Sequence, residues 1–287
     1  MATGQTRLGL QLQDLKSALD IKNKIIKPEY FQAHWINGFG WNQYLWSDSS
    51  LPTKEILDSI FPDTPVFLSR VDGHASWINS AAIEELKKNH YDFSRDPVGG
   101  KIERDIHGNP TGVLFDQAHI QALLKIPFFS TKQTISHIKE SLRIFNQAGF
   151  THIRDLSMNF PTAAILHDLH QKNELTACID GFVTVENGED LARGLADFEK
   201  CKTLPNPFLR MQGLKVFVDG SLGSETAFIS QPYVGKSGRG IMAWSAEEIR
   251  SAIRFCWSRQ IEIAFHVIGD AAVEIVVKAA REISAAG

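Results

Sequence analysis

The chain has 287 residues, of which 43% are hydrophobic, enough to bury a large core in one large or two smaller domains. With 30 lysines and arginines against 33 acids and a net charge of −3, it lacks the basic footprint of a nucleic-acid binder. No apolar run is long enough to cross a membrane and no signal-peptide core opens the chain, so a soluble, cytoplasmic protein that stays off membranes is expected.

In chain order, residues 27–130 read as irregular, with most of the tryptophans and many short turns marked by Pro and Gly. Within them Val71-Asp72-Gly73-His74-Ala75-Ser76-Trp77 reads as an Asp-Gly turn, followed by a helix over 80–88. Ser130-Thr131-Lys132-Gln133 is a capping box that opens a helix with Ile135, Ile138, Leu142 and Phe145 at helical spacing, ended by Gly149. Strands are then predicted over 150–156, 177–185, 214–219 and 262–267. Helices are predicted over 161–172, 189–200, from the capping box at Ser245-Ala246-Glu247-Glu248, and over 271–285. These four strand–helix units predict a parallel sheet. A barrel needs eight, so an open doubly wound sheet and part of a barrel both remain open. The cysteines Cys178, Cys201 and Cys256 show no metal or redox spacing and read as free thiols.

Two of the strands carry polar residues where a covered sheet would carry apolar ones. Leu214, Val216 and Val218 share one face, and Lys215, Phe217 and Asp219 the other; Glu262, Ala264 and His266 lie opposite Ile261, Ile263, Phe265 and Val267. A strand-end lysine can simply snorkel to solvent. A buried one is pushed toward its neutral amine, which can form a Schiff base or take up carbon dioxide as a carbamate. His266, at the C-terminal end of its strand, is either a satisfied core histidine or a ligand, and it lies at the height of Lys215. Asp219 either contacts substrate or binds local amides, and Asp270 either does so or caps the last helix. Asp219 also starts a long Gly- and Ser-rich loop over 220–244, on the side where barrels keep their active sites.

Leu214-Lys215-Val216-Phe217-Val218-Asp219-Gly220-Ser221 and His266-Val267-Ile268-Gly269-Asp270-Ala271-Ala272 resemble segments of amidohydrolase family 3, metal-dependent hydrolases of the YtcJ type. Weaker matches at 35–42, 65–74, 79–82, 111–114 and 149–155 fall in the family's order. The resemblance implies an α/β fold: a partial (β/α)8 TIM-type barrel, strands two to five, over 131–287, behind an irregular insert or lid over 1–130. It implies a divalent metal, one or two ions and zinc by expectation, with Lys215 (as carbamate) and His266 as ligands. It implies hydrolysis of non-peptide carbon–nitrogen bonds in a small-molecule substrate, with His74, Trp77, Asp219 and Asp270 as substrate contacts. The chain departs from the pattern: it has no His-x-His pair, and no strand-six histidine or strand-eight aspartate follows. The expectation is therefore an internal fragment that binds zinc poorly and self-associates through unpaired strand edges. The alternatives are a Schiff-base lyase acting through Lys215 and an inactive truncated chain.

Overall fold

A computed structural model describes residues 6–185 and 188–285. It divides into two units, Ala2–Glu140 and Ser141–Gly287.

In the first unit the stretch expected to be irregular is built on a seven-stranded sheet, ordered β1 (Leu10–Gln11), β3 (Trp35–Trp41), β4 (Val66–Arg70), β5 (Ala75–Ile78), β7 (Pro110–Asp116) and β6 (Gly100–Arg104), with β2 (Phe31–Gln32) pairing β3. β3 and β4 are parallel, and β4, β5, β7 and β6 are antiparallel in turn. Both faces are covered. Ile36, Val66, Leu68, Ala75, Trp77, Val113 and Phe115 pack on one side, and Trp35, Phe67, Ile78, Ile102 and Leu114 on the other. A strand buried on both faces shows no alternation, which is why the sequence hid this sheet. Short helices α1 (Lys54–Asp58), α2 (Ser80–Lys88) and α3 (Gln117–Leu123) complete the layer. Asn79, whose side chain accepts from the Ala82 N–H, caps α2.

Helix α4 (Thr131–Gln147) contains the division between the units and starts at the expected capping box: Ser130 N–H donates to Gln133 Oε1, and Gln133 N–H to Ser130 Oγ.

The second unit is a four-stranded parallel sheet, β8 (His152–Met158), β9 (Cys178–Val185), β10 (Leu209–Phe217) and β11 (Glu262–His266), paired in chain order with no reversal. A doubly wound sheet reverses its order; sequential right-handed crossovers put every helix on one face. That face carries the core. Val183, Val185, Leu214, Val216 and Val218 pack with residues of α6 (Leu191–Lys202), α7 (Ala246–Trp257) and α8 (Asp270–Ser284), and α5 (Phe160–Gln171) follows β8. Ser245 and Glu248 close the second capping box, at the start of α7. β10 begins five residues before the prediction, because a bulge between Met211 and Gly213 interrupts the alternation there. Gly213 lets β10 and β11 close up: a Cβ there would stand 1.9 Å from the Glu262 carbonyl oxygen.

Candidate functional site

The face of the parallel sheet away from the helices carries the candidate residues. Lys215 pairs in register with Thr184 and Ala264, and Phe217 with His266, so Lys215 and His266 share that face on adjacent strands. Arg154 and Asp180 face the same way, two same-face positions deeper, beyond Phe182. The Arg154 guanidinium lies 5.2 Å from the Phe182 ring centre, and Asp180 accepts from Arg210 Nε at 2.9 Å and Gln212 Nε2 at 3.1 Å.

Lys215 is 4% exposed. Its ammonium lies 4.2 Å from the Phe217 ring centre and donates to the Val216 carbonyl at 3.1 Å. Burial alone lowers its pKa from the usual lysine value to about 8, so a reactive neutral amine is within reach near neutral pH. The His266 ring stands 5.2 Å from Phe217, centre to centre, and its Nε2 lies 3.1 Å from the Gly220 carbonyl oxygen. A carbonyl only accepts, so Nε2 carries a proton.

Asp219 is 4% exposed, and its carboxylate accepts from three backbone amides: Phe228 at 3.0 Å, Ile268 at 2.9 Å and Gly269 at 2.7 Å. It clasps the loop over 220–244 to the turn that carries His266 into α8. Of its two sequence readings, local amide binding is the one the geometry displays. Asp270 is the first residue of α8 rather than its cap, which is Gly269; its Oδ1 accepts from Ser230 N–H at 2.8 Å. The long loop is thus ordered at its base by two aspartates, and the Phe228 carbonyl accepts from Ala272 N–H inside the first turn of α8.

The first unit holds a polar cluster that sequence reasoning found only in part. Arg70, 2% exposed, donates through Nε to Gln43 and through a terminal nitrogen to Asp72 at 2.8 Å, with Trp41 and Tyr44 rings against its guanidinium. Asp72 in turn accepts from His74 N–H, and His74 Nδ1 lies 2.8 Å from Asp116 Oδ1. Asp116 sits at φ 46°, ψ −117°, a conformation that glycine ordinarily occupies and that costs other residues roughly 1–3 kcal/mol. Trp77 is fully buried in the core and donates its indole N–H to Thr53 O at 2.9 Å. The expectation that it contacts substrate is corrected on that ground: no face of the ring is left for a ligand. Asp116 escaped sequence reasoning because it stands 42 positions from His74, and only the β5–β7 pairing of Ala75 with Phe115 brings them together.

Among the described residues, no three His, Cys, Asp or Glu side chains gather in a way that could hold a metal ion. A catalytic zinc takes three protein ligands and a water. Lys215 and His266, the two ligands the resemblance implies, share one face on adjacent strands.

The sequence matches the amidohydrolase family over residues 3–286. The chain belongs to that family. It is 31% identical to the putative amidohydrolase YtcJ of Bacillus subtilis (strain 168), over 94% of its own length and 51% of that protein. It is 24% identical to an N-substituted formamide deformylase of Arthrobacter pascens, over 86% of its length and 46% of the relative. It spans about half the length of the curated relatives it matches. Among solved structures, an uncharacterized metal-dependent hydrolase from Pyrococcus horikoshii OT3 superposes with a TM-score of 0.66 at 22% identity, covering 98% of this chain and 54% of that one. One from Pyrococcus furiosus gives 0.63 at 25% identity, covering 98% and 55%. No helix of the described residues is long and apolar enough to cross a membrane.

Proposed function

We propose that this amidohydrolase forms part of a metal-dependent hydrolase acting on non-peptide carbon–nitrogen bonds of small molecules, with Lys215 and His266 contributing ligands to a divalent metal, zinc by expectation. The observation that carries this reading is the buried Lys215 amine, shifted toward its neutral form by burial, beside His266 on the face without helices. A neutral amine is the form that takes up carbon dioxide, and a carbamate offers two oxygen donors. The four strands in chain order, with β8 and β11 as edges, support a segment of a (β/α) barrel. The remaining strands and ligands then come from a longer chain, in keeping with the half-length match to its relatives. On the same reading His74 is a substrate contact, and Asp219 and Asp270 hold the loop over 220–244.

The test is made in the full-length hydrolase. Lys215→Ala loses bound metal and activity together, and short carboxylic acids restore part of both by filling the vacated ligand position. Lys215→Arg with normal metal content and rate sinks the assignment, because guanidinium stays charged and cannot carry carbon dioxide. The same neutral amine suits a Schiff base; borohydride trapping of a carbonyl substrate on Lys215 decides for that lyase reading instead.

A further inference from the structure

We propose that Asp116 is a positioning residue that fixes the tautomer of His74, so that His74 presents Nε2 as a hydrogen-bond acceptor toward N–H or O–H donors. This deepens, and rests on, the reading of His74 as a group that faces substrate.

Three contacts converge. His74 Nδ1 stands 2.8 Å from Asp116 Oδ1. A carboxylate oxygen accepts a proton carried by Nδ1, and the tautomer with its proton on Nδ1 keeps its lone pair on Nε2. The two residues are also tied through the backbone, since Asp116 N–H donates to the His74 carbonyl at 2.8 Å. The ring is therefore held by Asp116 Oδ1, and the His74 backbone is held by Asp116 N–H and by Asp72 Oδ1.

The choice of residue at 116 is the telling feature. Its backbone, φ 46° and ψ −117°, is the geometry of the first central residue of a type II′ turn, where glycine fits without strain. An aspartate there is strained, and its side chain makes no cap for the helix that follows. Its Oδ1 goes to His74, while its Oδ2 is buried with no hydrogen-bond partner. A buried carboxylate oxygen without a donor is unfavourable. Two unfavourable features at one residue are accounted for by what the carboxylate does to His74, whose side chain remains 14% exposed.

The experiment uses nitrogen-15 NMR of ring-labelled histidine in this chain, with Asp116→Gly as the main variant, since glycine suits the backbone and the fold should survive. Asp116→Asn is the second variant, keeping the shape while losing the charge. The native His74 signals are expected to report a protonated Nδ1 and an unprotonated Nε2, and Asp116→Gly should move the population toward the opposite tautomer. Carbethoxylation of His74 at Nε2, followed by peptide mass, should slow several-fold in both variants. A native His74 with its proton on Nε2, or a tautomer and modification rate indifferent to Asp116→Gly, overturns the proposal. Lys215→Ala should leave both readouts unchanged, so failure here and failure of the metal-ligand assignment are told apart.

Discussion

The two sheets of this protein are buried in opposite ways. The mixed sheet of the first unit has apolar residues on both faces, with β4 sending Val66 and Leu68 to one cluster and Phe67 to the other. The parallel sheet of the second unit has one apolar face, and its other face carries Arg154, Asp180, Lys215 and His266. Burial on two faces makes a scaffold, whose polar groups are then few and each strongly determined, as in the Arg70–Asp72–His74–Asp116 chain. The face away from the helices instead carries a row of polar side chains, and Lys215, buried there, is held against the preference of its charged form for water.

Three measurements sharpen or break that contrast. The largest effect should come from Trp77→Ala, which empties a fully buried site and strands the Thr53 carbonyl; about 3–5 kcal/mol should be lost in denaturant melts. A loss below about 1 kcal/mol would mean that the first unit is not the tightly packed scaffold described.

Acid should next pick out the first unit. His119 has its pKa lowered from 6.5 to about 4, chiefly by burial and further by His74. The unfolded chain binds this proton near pH 6.5 and the folded chain only near 4. Stability is therefore complete above pH 6.5 and falls as pH drops toward 4, by up to about 3 kcal/mol. His119→Phe, which keeps a ring beside Phe67, should flatten that slope. An unchanged slope would assign the acid sensitivity elsewhere.

The smallest effect has the opposite sign. Lys215→Met removes a buried amine that burial alone destabilises, and should raise stability by about 0.5–2 kcal/mol while abolishing function in the full-length hydrolase. A destabilised Lys215→Met would show that the lysine is part of the packing, and the one-sided reading of the parallel sheet would fail.

The sequence by itself determined the second unit closely. Its helices and strands follow from apolar spacing, the capping box at Ser245 and alternation that puts Lys215 and His266 on one face, because those signals are local. The segments around these two residues also carried the family. The first unit was hidden for a physical reason: β3, with its sequence Trp35-Ile36-Asn37-Gly38-Phe39-Gly40-Trp41, is buried on both sides and short of alternation, and its partners lie far along the chain. Only tertiary structure decided that Asp219 is a clasp on three amides, that Trp77 is core, and that Asp116 reaches His74. Each depends on which backbone groups from distant strands and loops come within hydrogen-bond reach, and the residue types alone do not contain that information.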